Sequence, residues 1–150
     1  MTNFGRITSV VIASSLTGGI LLERVYDPKL STEREELLKA FLDSAEVEGL
    51  LGTQEEEGKL SECCTSSYKK HNIVFQRISN VVLFCSGTLD QNHARVAKVI
   101  ECFLLCLIDA LRKEVTEERI VKNYAKVCLA LDEILVEGIV ESLEPKHIKD

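Results

Sequence analysis

The 150-residue sequence predicts an α+β fold: a five-stranded antiparallel sheet packed by helices, in the order β-β-α-β-β-β-α-α. Three observations carry this expectation. Short β-branched runs separated by turn residues fill 7–26 and 62–88. A long, broadly apolar helical segment follows at 90–113. A charged break then restarts helical spacing at Thr116.

Residues 7–14, ITSVVIAS, read as a strand, and Gly18-Gly19 supply the turn into a second strand, ILLERVY, which Asp27-Pro28 ends. Ser31 and Thr32 stand ahead of Glu35 as a capping box for the first helix. Leu37, Leu38, Phe41, Leu42 and Ala45 give that helix one apolar side. The acid-rich stretch 46–60, EVEGLLGTQEEEGKL, predicts a mobile, solvated surface loop, with room for a frayed end of the first helix at its start, and a loop dispensable for folding. Three strands follow: ECCTSSYKK, NIVFQRIS and NVVLFCSGT. The last of these does not alternate, which predicts a central strand covered on both faces.

The segment 90–113 carries Val96, Val99, Ile100, Phe103, Leu104, Leu107, Ile108 and Leu111 on one face, and Cys102, Leu105 and Cys106 widen it almost all round. The final helix is expected from Thr116 to Glu137, with Ile120, Tyr124, Val127, Leu131, Ile134 and Leu135 inward and Gly138 as its C-cap. An extended tail, IVES, precedes Pro145. One domain over 1–150 is expected, with an ordered core at about 6–143.

A formal charge of -6 gives no bulk attraction to phosphate, so nucleic acid is an unexpected partner. The start, MTNFGR, has no apolar signal region, and no apolar run reaches the roughly 20 residues of a membrane span. The six cysteines show no C-x-x-C, and the three histidines have no ligand spacing, so reduced thiols and neither metal nor cofactor are expected. Asp132 and Glu133 interrupt the most apolar run of the last helix. Adjacent helical side chains diverge by about 100°, so these two acids cannot converge on one substrate atom, and a surface edge is expected. Cys63 or Cys64 with His71 forms the one imaginable nucleophile pair, a thiol hydrolase without a legible orienting group.

The stretch "LRKEVTEERIVKNYAKVCLALDEILVEGIVES" resembles the C-terminal part of the coatomer zeta subunit and, in the same way, the sigma subunits of clathrin adaptors. "GILLERVYD" resembles the family's second strand. "HNIVFQRISNVVLFCSGTLDQNHARVAKVIECFLLCLIDALRK" resembles its strand-strand-helix centre, including Asp90 and Asn92 at the helix start. The resemblance covers roughly 7–142, and "SSLTGG" departs from the Asp-rich turn of zeta-like chains, leaving room for a small subunit of the TPLATE (TSET) type.

The resemblance implies a longin-like fold and a non-enzymatic small subunit held by the N-terminal helical solenoid of a large subunit. It implies a cytoplasmic protein reaching Golgi, coated-vesicle or plasma membranes through its complex. It also implies a peptide groove near Ser79, Val81, Leu104, Val115 and Ile120. The basic residue that sigma subunits carry on the second strand falls at Leu21, and strand alternation sends Arg24 to the opposite face. The rival reading is a longin-type domain serving a SNARE or GTPase regulator, although no coiled coil or membrane tail is legible after the last helix.

Overall fold

The computed structural model describes residues 6–52, 59–90, 92–112, 114–136 and 138–140. The chain forms β1 (Ile7–Ser14), β2 (Ile20–Val25), α1 (Pro28–Ser31), α2 (Arg34–Val47), β3 (Cys64–Tyr68), β4 (His71–Ile78), β5 (Val81–Thr88), α3 (His93–Leu111), α4 (Glu117–Lys122), α5 (Tyr124–Ile134), β6 (Leu135–Val136) and β7 (Ile139–Val140). The first five strands make one antiparallel sheet in the order β2-β1-β5-β4-β3. This is the predicted longin-like sheet.

β1 and β5 lie between other strands, and both of their faces are covered. All of β1 is buried, as is β5 up to Gly87. This is why their sequences do not alternate. The sheet divides the core in two. On one face α2 places Leu37, Phe41 and Ala45 against Val11, Phe75 and Phe84, and the Phe41 and Phe84 rings stack at 5.0 Å. On the other face α3, α4 and α5 pack Phe103, Leu107, Ile120, Val127, Leu131 and Ile134 against Val10, Ile12, Val74 and Leu83.

The start of the first helical region differs from expectation. Asp27 Oδ1 accepts from the Lys29 amide at 2.9 Å with Pro28 at the first helical position, so a single turn, α1, forms early and takes up Ser31. Thr32 then donates its hydroxyl to the Lys29 carbonyl, and α2 begins after Glu33 with no side-chain cap. The Ser31/Thr32/Glu35 capping box therefore does not form.

The stretch 46–60 is not all loop. α2 continues to Val47, Leu50 is buried in the α2-side core, and the Gly52 amide donates to the Ser15 carbonyl at 2.7 Å. Residues 53–58 lie outside those described. Leu60 forms an isolated bridge with Ile78.

The C-terminal region also departs from the single predicted helix. Asn123 leaves helical geometry at φ -117 and ψ 33, and its side-chain amide donates to the Arg119 carbonyl, splitting α4 from α5. The break shifts the helical phase. Ile120 and Val127 stay buried while Tyr124, expected inward, is 43% exposed. Helix α5 stops at Ile134, and Leu135 with the β-branched Val136, Ile139 and Val140 forms the β6–β7 hairpin. Gly138 lies in the hairpin turn at φ +84 and is not a helix C-cap. The hairpin takes over the edge of β1 where β2 ends: Arg6 bridges Ile139, and the Ile7 amide donates to the Gly138 carbonyl. The remainder of the tail lies outside the described residues.

Candidate functional site

The five groove positions come from separate elements. Ser79 occupies the β4–β5 turn at φ +53, Val81 opens β5, Leu104 lies in α3, Val115 precedes α4 and Ile120 lies within it. The fold brings Val81, Leu104, Val115 and Ile120 into one cluster, but it closes them in. Leu104 is 7% exposed, and the other three are fully buried. Asn80 holds this closure by accepting from the Glu117 amide at 2.8 Å, which ties the β4–β5 turn to the first residue of α4. What reaches the surface is an open hollow of about 390 Å³ lined by Asn80, Glu117, Glu118, Val121 and Lys122. Lys122 pairs with Glu118 at 2.8 Å, so the rim holds one exposed apolar side chain and a net negative charge.

The alternation argument for Leu21 and Arg24 fails, for a local reason. Ile12 pairs with Leu22 and Ala13 with Ile20, so Leu21 is the extra residue of a β-bulge. Leu21 and Leu22 consequently both pack on the α3/α5 side. Arg24 reaches that same side. Desolvation opposes its charge, but hydrogen bonding and charge interactions with Tyr124 and Cys128 of α5 outweigh it and push the guanidinium pKa up. Nearby, burial pushes the Tyr26 phenol up to about 12, against the Arg24 charge and with that of Asp132.

The thiol-hydrolase arrangement is not assembled. Cys64 pairs with Phe75 and His71 with Tyr68, so the two stand four residues apart along the hairpin, about 13 Å. Burial pushes the Cys63 and Cys64 thiols up, away from the reactive thiolate. His71 Nδ1 meets the Thr8 hydroxyl at 3.2 Å. Asp132 and Glu133 are exposed on the last turn of α5. Among the described residues, no three His, Cys, Asp or Glu side chains are grouped to hold a metal ion, and no helix is long and apolar enough to cross a membrane.

The helical layer carries a set of outward apolar side chains, which the nearly all-round apolar character of the 90–113 segment foreshadowed for α3 but not for α5. Leu105 and Ile108 on α3 are 47% and 42% exposed, and Leu129 on α5 is 64% exposed. Leu105 and Ile108 belong to the helix whose sequence is apolar on nearly all sides. The signal for Leu129 was its position two residues from both Val127 and Leu131, off the inner stripe.

The family model described as clathrin adaptor complex small chain matches residues 7–150. The chain belongs to that family. As an adaptor small chain it is a subunit of a vesicle adaptor complex. A homology model of the full-length AP-3 complex in a stretched open conformation is similar to it in fold, with a TM-score of 0.61 at 13% identity over 95% of this chain and 88% of that one. No curated protein matches the sequence. In this adaptor small chain, the closed cluster around Val81 belongs to the core.

Proposed function

We propose that this adaptor small chain is a non-enzymatic scaffold subunit gripped by the N-terminal helical solenoid of a large adaptor subunit, and that it reaches membranes only through that complex. The observation that carries this reading is the exposure of Leu105, Ile108 and Leu129 on helices whose opposite sides form the main core. Such side chains gain about 25 cal/mol per Å² when a partner removes them from water. A cytoplasmic, membrane-peripheral location at Golgi, coated-vesicle or plasma membranes follows from the same reading. So does a role in coatomer-like Golgi traffic or TPLATE-like endocytosis.

The five positions Ser79, Val81, Leu104, Val115 and Ile120 then serve packing, and a peptide could use them as a groove only if α4 moved off the sheet. Affinity capture of the tagged chain from its native cell tests the proposal. A co-purifying large solenoid subunit supports it, and the identity of that subunit separates the Golgi pathway from the plasma-membrane one. Recovery of the chain alone, as a stable monomer, overturns it.

A further inference from the structure

A run of hydroxyls joins His71 to the interior of the sheet. β1 carries a second irregularity, between Ile7, paired with Gly87, and Ser9, paired with Ser86. Thr8 is the extra residue, so Thr8 and Ser9 both meet Ser86. Thr8 Oγ1 is 3.2 Å from His71 Nδ1 and 2.7 Å from Ser86 Oγ, and Ser86 Oγ is 2.5 Å from Ser9 Oγ. Thr8, Ser9 and Ser86 are fully buried, and among the described residues Ser86 Oγ is the one hydrogen-bond partner of Ser9 Oγ.

With neutral His71 each hydroxyl donates toward the imidazole: Ser9 to Ser86, Ser86 to Thr8, and Thr8 to Nδ1. The proton on the ring then sits on Nε2. Protonated His71 must donate from Nδ1 to Thr8, which leaves two contacts for three hydroxyl hydrogens. One of the three hydroxyls is left as a buried donor with no acceptor, an arrangement that costs the desolvation of that group. We infer that this dead-ended chain is a proton-sensitive latch that holds β1 to β4 and β5 while His71 is neutral and loosens when His71 takes up a proton.

The latch sits at a three-way junction. The Thr8 carbonyl accepts from the Tyr26 amide as β2 leaves β1, and the neighbouring Ile7 amide is held by the C-terminal hairpin. Burial pushes the imidazole down in the same direction, while the carboxylates of Asp27, ahead of α1, and Glu33, ahead of α2, oppose it. Tyr68 stands across the turn, Lys69 is paired to Glu33, and on β5 the facing residue is Thr88, which does not titrate.

Nitrogen and proton shifts of the imidazole test the inference, measured on the full chain labelled alone and bound to its large-subunit partner if it needs one. Neutral His71 is expected with its proton on Nε2, and a proton on Nδ1 overturns the chain direction. Thr8→Val keeps the shape and burial but removes the hydroxyl, so the His71 pKa should move up toward the ordinary imidazole value, and Thr8→Ser should restore it. An unchanged or lower value in Thr8→Val assigns the shift to burial alone and overturns the proposal. Should Thr8→Val fail to fold, the wild-type tautomer decides. Hydrogen-exchange protection of the Ile7 and Tyr26 amides should fall as the pH is lowered through the His71 titration followed by the imidazole shifts. Protection that stays constant removes the latch.

Discussion

The Ile7 amide donates to the Gly138 carbonyl at 2.8 Å, and a Cβ built on Gly138 would stand 2.3 Å from the Ile7 carbonyl oxygen. The hairpin turn and the start of β1 are thus pressed backbone to backbone, with Gly138 at φ +84. Only a residue without a side chain fits there.

Gly138→Ala should therefore destabilise the protein by more than the roughly 1–3 kcal/mol that a strained backbone conformation costs alone, because the clash is with backbone that cannot move aside. Urea or thermal unfolding of the variant against wild type measures this. An unchanged midpoint would show that the hairpin does not press on β1.

Two neighbouring leucines in α3 should behave oppositely. Leu107 is fully buried, so Leu107→Asp buries an unpaired carboxylate and should cost several kcal/mol, enough to unfold a small domain. Leu105 is 47% exposed, so Leu105→Asp should keep the fold and weaken recovery of the large subunit. Circular dichroism and co-purification, run on both variants, separate the two effects. Full partner recovery by Leu105→Asp together with Leu129→Asp would move the interface elsewhere.

The acidic segment should tolerate shortening only beyond Gly52. Replacing 53–58 by a few Gly and Ser residues is expected to change stability by no more than about 1 kcal/mol, since closure entropy varies slowly with loop length. Leu50→Ala, at a site 5% exposed, should cost about 2–5 kcal/mol. Denaturant midpoints of both variants provide the check, and equal effects would contradict the packing of Leu50.

An acidic dileucine peptide should not bind saturably at micromolar concentration. The candidate apolar positions are closed, and the nearby hollow carries Glu117 and Glu118, which repel an acidic peptide. Titration of a labelled peptide against the assembled complex would reveal the contrary, and Val121→Asp then locates the site without disturbing the core.

Most of the sheet was legible because strands announce themselves locally. The β-branched runs and the turn residues between them gave five strands close to their true bounds, and the unbroken apolar run at Val81–Phe84 marked the buried centre. What escaped was decided by single residues whose effect depends on tertiary context. Asp27 captured the chain one turn before the expected cap. Asn123 broke a helix whose periodicity looked continuous. The extra residue Leu21 reversed the facing of everything after it on β2. Val81, Leu104, Val115 and Ile120 meet in one core cluster, and their burial depends on how closely α4 seats against the β4–β5 turn through Asn80, which no local pattern encodes.

The strand order carries a consequence for how the molecule is made. β1 emerges first from the ribosome and finds β2 at once, but a lone two-stranded hairpin is marginal in water. Its second neighbour is β5, and Thr8 and Ser86, which touch, are separated by 78 positions. Closing so long a separation costs little equilibrium stability yet slows folding, because the chain must be ordered before the distant contact rewards it. Among the described residues a further contact with β1 comes later still, from the turn at Gly138. During synthesis the apolar strand at the heart of the sheet stays open on one edge through most of the chain's length, a state prone to pairing with the wrong neighbour. Each new copy therefore remains unsealed until the residues around Gly138 have left the ribosome.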